Sequence, residues 1–316
     1  MGKKKIFIDG SEGTTGLRIN ERFAGREDIE ILTIDPELRK DPDERKKLID
    51  SSDYTFLCLP DAAAIEACSL AGNPDTVIID ASTAHRTDPG WAYGLPELSP
   101  DFFEKIRTSK RIAVPGCYAS GFIMMAYPLV SKGILGTDYP FIVPALSGYS
   151  GAGKKAIAAY EAGDKAEDLF APREYALSQM HKHLPEMKKI TGLDHEPIFE
   201  PVVDDYYCGM IVNLPIHTRL MKKKMGPAEL RDVLADHYKG QAFIRVCEFG
   251  CESETNGFLA ANAMAGVDYA NIIVTGNEDR IIVSAMFDNL GKGASGAAVE
   301  CLNISMGIDP TTGLVV

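Results

Sequence analysis

Short apolar runs alternate with amphipathic stretches through the first third of the chain. Residues 5–9 have the pattern of an apolar strand, the polar run 10–16 follows it, and 17–24 has helical spacing. The rhythm continues with strand patterns at 29–34, 54–59, 77–80 and 111–114 and helical ones at 41–51 and 61–70. Strands alternating with helices across short loops predict βαβ units and a parallel sheet. Beyond residue 117 the texture changes. An apolar run, 122–130, predicts a buried helix beginning near Cys117. Strand patterns then appear at 141–144, 198–203, 208–214, 243–248, 263–269, 271–276 and 280–286, often adjacent with no helix between them. That arrangement predicts a second domain of α+β type with a largely antiparallel sheet. The last apolar segment, 294–306, reads as a helix packing back on the first domain.

The polar run after the first strand is Gly10-x-x-Gly13-x-x-Gly16. Its first spacing departs from G-x-G-x-x-G, but the chemistry is the same. Glycines let the backbone turn tightly and approach a pyrophosphate at a helix N-terminus, and a strand before and a helix after are the required context. Asp35, at the end of the second strand, is placed to bond a ribose hydroxyl of NAD, whereas Arg39 and Lys40 just beyond it suit the 2′-phosphate of NADP. The expected fold class is α/β. A Rossmann-type parallel sheet domain spans 1–115 with the C-terminal helix 291–316, and an α+β substrate domain spans 116–290.

Pro115-Gly116-Cys117-Tyr118 is the second chemical signal. A thiol at a helix start meets unpaired N–H groups and the positive end of the helix dipole, which favour the nucleophilic thiolate. A cysteine nucleophile behind a nucleotide-binding half suggests a dehydrogenase working through a thioester. An imidazole is the usual acid–base partner, and the residues alone leave His181 and His183 equally open for it. Cys58 and Cys68, in apolar surroundings, read as core residues. Gly148-Tyr-Ser-Gly-Ala-Gly153-Lys154-Lys155 nearly spells a phosphate-binding P-loop, but Lys155 stands where a hydroxyl must bind Mg²⁺. Such a loop still suits an anionic substrate.

Composition narrows the classes. The 316 residues carry a net charge of −12, which excludes a basic nucleic-acid surface. Seven irregularly spaced cysteines make no disulfide framework and point to a reducing, cytoplasmic setting. No apolar run approaches the roughly 18 residues that span a bilayer. No metal-ligand spacing stands out, since neither a C-x-x-C pair nor an H-E-x-x-H helix is present.

Ordered motifs along nearly the whole chain carry a resemblance. They are 10–16, Leu57-Cys-Leu-Pro-Asp61, Asp80-Ala-Ser-Thr-Ala-His-Arg86, Tyr93-Gly-Leu-Pro-Glu97, Pro115-Gly-Cys-Tyr118, Ser147-Gly-Tyr-Ser-Gly-Ala-Gly153, His181-Lys-His-Leu-Pro-Glu186 and Asp288-Asn-Leu-Gly-Lys-Gly293. Together they resemble the short form of the N-acetyl-gamma-glutamyl-phosphate reductase family, of the semialdehyde dehydrogenase superfamily. The resemblance implies Cys117 as nucleophile and His183 as acid–base residue. It implies NADP as cofactor, with contacts at Gly10, Gly13, Thr14, Thr15, Gly16, Arg39, Lys40, Pro60, Ser82 and Asn289. Arg86, Ser147 and Gly148 are implied as substrate contacts. Partners would be a small acyl phosphate and phosphate, with no nucleic acid and no membrane, and a dimer or tetramer of the chain. Cys208 departs from the longer members, which carry an arginine there, so the group that binds the substrate carboxylate is left open. The alternatives are a reductase of aspartyl or glutamyl phosphate, and a non-catalytic NADP-binding sensor.

Overall fold

A computed structural model describes residues 2–316. In chain order the first unit contains β1 (Lys4–Asp9), α1 (Thr14–Phe23), β2 (Ile29–Leu32), α2 (Pro42–Ser51), β3 (Tyr54–Leu57), α3 (Asp61–Leu70), β4 (Val77–Asp80), β5 (Ala92–Tyr93), α4 (Pro100–Thr108) and β6 (Arg111–Ala113). The second contains α5 (Cys117–Ser131), β7 (Ile142–Gly148), α6 (Lys154–Glu161), β8 (Arg173–Glu174), α7 (Leu184–Thr191), β9 (Ile198–Asp204), β10 (Met210–His217), α8 (Pro227–His237), β11 (Ile244–Val246), β12 (Ala270–Gly276) and β13 (Arg280–Phe287). The final helix, α9 (Gly296–Met306), belongs to the first unit, which among the described residues comprises 2–115 and 294–314.

In the first unit all strands are parallel, in the order β2-β1-β3-β4-β6-β5. Side chains alternate along β1, so Ile6 and Ile8 enter one buried cluster with Ile19, Phe23 and Val299, while Phe7 enters another with Ile49, Ala64 and Ala67. Helices thus cover both faces, as a parallel sheet requires. The order reverses at β1, where β2 and β3 pair on opposite sides, and ligands bind beyond the carboxyl ends of strands at such a switch point.

The second unit holds one mixed sheet, β11-β12-β13-β10-β7-β9-β8. Most neighbours are antiparallel, with β7–β9 and β11–β12 parallel. Helix α5 is apolar all round and lies against this sheet, so close that a Cβ on Gly121 would stand 2.6 Å from Val212.

One expectation needs correction. Residues 263–269 form turns, not a strand. Gly266 sits at φ +86°, its N–H donates to Asp288 Oδ2 at 2.6 Å, and Met264 drops into a cluster with Ile211, Ile273 and Met286. Helix α8 fills the gap between the strands expected at 208–214 and 243–248. Its signal was the Gly226-Pro227 entry with Glu229 reaching back to the Gly226 N–H.

Candidate active site

Cys117 is the first residue of α5, and Gly116 caps the helix with an extended backbone but no side-chain acceptor. The Gly116 N–H instead donates to Glu186 Oε1 at 2.9 Å, and Glu186 lies buried in the first turn of α7. His183 is the residue that opens α7 and is itself buried. One carboxylate therefore ties the start of the cysteine helix to the start of the histidine helix. Gly293 closes the other side: a Cβ there would stand 2.9 Å from Cys117 Cβ, so only glycine lets the chain pass.

The segment before α7 delivers both histidines. Gln179, at φ +57°, pins it to β9 by donating from Nε2 to the Phe199 carbonyl (2.8 Å) and accepting the Phe199 N–H (2.9 Å). The His183 N–H donates to His181 Nδ1 at 3.1 Å, which leaves the ring proton of neutral His181 on Nε2. The His181 ring has Tyr118, Tyr175, His183 and Phe199 around it at 6.1, 5.8, 4.6 and 5.0 Å between centroids. His181 is thus a packed member of the site. Burial, with lesser contributions from the neighbouring Tyr175 and Cys117, pushes the Tyr118 hydroxyl well above its ordinary range. Tyr175 is raised as well, chiefly by burial. Both are neutral phenols beside the thiol.

Ser147 and Gly148 end β7 in the same unit. Ser147 is buried and its Oγ donates to the Gly148 carbonyl at 3.1 Å. Asn289 is equally committed, accepting the Gly209 N–H at 2.8 Å and donating to Ser150 Oγ at 2.8 Å. Cys208 is half-buried next to Gly209.

In the first unit, the glycine turn lies beyond the carboxyl end of β1. Gly10 takes φ +85°, and a Cβ on it would collide with the Cys58 carbonyl; one on Gly16 would meet the Gly10 carbonyl at 2.5 Å. Gly13 caps α1, of which Thr14 and Thr15 are the first residues. The turn opens on a cleft of about 260 Å³ lined by Gly10, Glu12, Thr33, Ile34 and Arg39. Arg39 Nη1 donates to Glu12 Oε2 at 2.5 Å. Lys40 beside it is exposed, and Asp35, past the end of β2, accepts the Glu37 N–H at 2.9 Å. A tight glycine cradle opening on a cleft with a guanidinium fits a dinucleotide phosphate.

Beneath the turn, Asp9 Oδ2 accepts from Arg45 Nε and Nη2 at 3.0 and 2.9 Å, both side chains buried, and Arg45 Nη1 reaches Glu66 at 2.8 Å. Burial, outweighing Arg45, pushes the Asp9 carboxyl above its usual value. Pro60 caps α3. Ser82 is held by Asp80, whose Oδ2 accepts its hydroxyl at 2.7 Å and lies 2.6 Å from His85 Nδ1. Arg86 is buried, donating from Nε to the Val114 carbonyl (2.8 Å) and from Nη2 to the Ala81 carbonyl (3.1 Å). It braces the strand end that leads into Pro115. Burial raises the Cys58 thiol to about 12 and that of Cys68 to about 11, as for protonated thiols packed beside the two core clusters of this unit.

The semialdehyde dehydrogenase NAD binding domain matches residues 4–106, and the semialdehyde dehydrogenase dimerisation domain matches 117–289. The N-acetyl-gamma-glutamyl-phosphate reductase 2 of Nostoc sp. is 42% identical over 99% of this chain and 100% of its own. The reductase of the same name from Pseudomonas putida is 41% identical over 96% of each. The chain belongs to the N-acetyl-gamma-glutamyl-phosphate reductase family, within the semialdehyde dehydrogenases. Aspartate semialdehyde dehydrogenase II of Vibrio cholerae shares the fold, with a TM-score of 0.72 at 15% identity over 97% of this chain and 99% of that one. The aspartate semialdehyde dehydrogenase of Francisella tularensis also has a TM-score of 0.72, at 16% identity over 95% and 99%.

Sequence reasoning did not single out Glu186, Gln179, Gly293 or the Asp9–Arg45 pair as parts of the family site. Glu186 and Gly293 stand inside quoted motifs, but Gln179 and Arg45 leave no local signal, because each acts on residues 20 or more positions away.

Proposed function

We propose that the chain reduces N-acetyl-glutamyl 5-phosphate to N-acetyl-glutamate 5-semialdehyde with release of phosphate, a step toward arginine. The carrying observation is Cys117 at the head of α5, with Glu186 joining that helix start to the one headed by His183. The Cys117 thiolate attacks the acyl carbon, the C–O bond to phosphate breaks, and a thioester remains on the protein. NADPH, when bound, supplies the hydride that reduces this thioester carbon. Amides of the first turn of α5 stabilise the oxyanion. His183 gives the developing alkoxide a proton and takes it back as the C–S bond breaks and the aldehyde leaves. The buried ring of Tyr118 keeps water from the thioester, which would otherwise hydrolyse.

Arg39 and Lys40 receive the 2′-phosphate of the cofactor, and the amides of the 10–16 turn receive the pyrophosphate. Ser147 and Gly148 border the substrate, and Arg86 contributes positive charge for its phosphate. Ile142 and Ile198, paired in register and each about half-exposed, support assembly into a dimer or tetramer. The thiols of Cys58, Cys68, Cys247 and Cys251 support a cytoplasmic setting.

The test is phosphate-dependent reduction of NADP with N-acetyl-glutamate semialdehyde, beside the unacetylated and aspartyl aldehydes. The acetylated substrate should dominate, and Cys117→Ser should lose several orders of magnitude while keeping its affinity for NADP. Preference for a free aldehyde would move the chain to another semialdehyde dehydrogenase. Tight NADP binding without turnover would make it a sensor. His183→Asn should cost about 10²–10⁴-fold in kcat, the scale of lost general acid–base help, and His181→Asn far less.

A further inference from the structure

The glycine turn carries a residue that a pyrophosphate does not call for. Between Gly10 and Gly13, in the turn proposed to receive the pyrophosphate, the chain places the carboxylate of Glu12. Negative charge there opposes a negative ligand. The structure shows what balances it: Glu12 Oε2 holds Arg39 Nη1 at 2.5 Å, and both side chains line the same cleft as Gly10. The two are 27 positions apart, so the pair is built by the fold and not by a neighbouring turn of helix. Both are more than half exposed, which leaves them free to re-pair.

We propose that Glu12 sets cofactor selection by competing, from inside the protein, for the arginine that reads the 2′-phosphate. A phosphate brings up to two charges and three acceptor oxygens, enough to draw the guanidinium off a single carboxylate. A 2′-hydroxyl brings neither, so Arg39 stays on Glu12 and the ion pair closes over the turn. Binding of the phosphorylated cofactor must therefore break the Glu12–Arg39 bond, whereas binding of NAD leaves it intact. Glu12 thereby narrows the preference for NADP below what Arg39 alone would give. This inference rests on Arg39 being the 2′-phosphate reader.

The experiment is calorimetric titration with 2′,5′-ADP and 5′-AMP, whose difference is the 2′-phosphate alone. The proteins are the wild type, Glu12→Gln, Arg39→Ala and the double variant, at low and high salt, with melting temperatures to confirm folding. An exposed ion pair is worth little, so Glu12→Gln should tighten 2′,5′-ADP by about two- to fivefold, with 5′-AMP nearly unchanged and the gain shrinking at high salt. Arg39→Ala should weaken 2′,5′-ADP by about tenfold or more, and the double variant should match it. If Glu12→Gln leaves 2′,5′-ADP unchanged or weaker, or tightens it equally without Arg39, the competition does not exist although the arginine reading stands. If Arg39→Ala leaves the ratio of the two ligands unchanged, the arginine reading itself fails.

Discussion

The two glycine-rich turns of this chain look alike in sequence and differ in what their amides do. In the 148–153 turn the N–H groups of Gly148, Tyr149 and Ser150 donate to the carbonyls of Gly209, Tyr206 and Tyr207 at 2.9–3.0 Å. A Cβ on Gly148 would stand 2.5 Å from the Tyr207 carbonyl, so this glycine exists to let two stretches of the protein's own backbone meet. In the 10–16 turn the glycines make a tight bend beyond β1 that opens on a cleft. Both turns bring backbone close to backbone, but the first borders an open cleft and the second is closed by the chain's own carbonyls. Glycine content reports close backbone approach, not what is approached.

The braces differ in the same way, and the largest expected effect lies there. The first turn follows a buried ion pair, Asp9–Arg45, while the second is held by the neutral amide of Asn289. Arg45→Met should cost about 3–5 kcal/mol at pH 7, because it strands a buried carboxylate. The sign of the pH dependence follows from burial, which already raises the Asp9 pKa. A carboxyl raised in the folded state contributes stability that is complete below the unfolded value of 3.8 and lost as pH rises through the folded one. Removing Arg45 raises it further. The deficit of the variant should therefore shrink as pH falls toward 4, which urea titrations at several pH values would measure. A deficit constant with pH would mean that Asp9 does not carry it.

A smaller loss is expected at the second brace. Asn289→Ala leaves the buried Gly209 N–H without its acceptor and should cost about 1–3 kcal/mol. Because both partners of Asn289 lie in the second unit, affinity for 2′,5′-ADP should be unchanged. Thermal melts and calorimetry on one sample separate the two readouts, and a loss of 2′,5′-ADP binding would show that the braces are not independent.

What could be read ahead of the structure was local. The strand–turn–helix context around Gly10, the helix beginning at Cys117 and the bounds of α3 all follow from hydrophobic period and adjacent turn residues. The sheet order and the division of labour between the two turns do not. Glu12 meets Arg39, Glu186 meets Gly116 and Tyr149 meets Tyr206 only after the chain has folded back. The turns at 263–269 misled for the opposite reason, since their apolar residues fill a core that a strand would also have filled.

The smallest expected effect is the sharpest test of the comparison. Lys155→Ser completes the G-x-x-x-x-G-K-S spelling of a phosphate-binding loop at an exposed position in the first turn of α6. A surface change of this kind should move stability by no more than about 0.5 kcal/mol. If spelling made the site, the variant would acquire affinity for a nucleoside triphosphate with Mg²⁺. A phosphate cradle needs several backbone N–H groups pointing at one anion, and in this loop three of them already donate to carbonyls 206, 207 and 209. Freeing them would break bonds that join the end of β7 and the turn after it to the connection between β9 and β10, at a cost no single serine offsets. Titration of Lys155→Ser with MgATP should therefore show no binding at millimolar concentration. Saturable binding would mean that the loop's amides are available after all, and that the carbonyls of 206, 207 and 209 do not close the second turn.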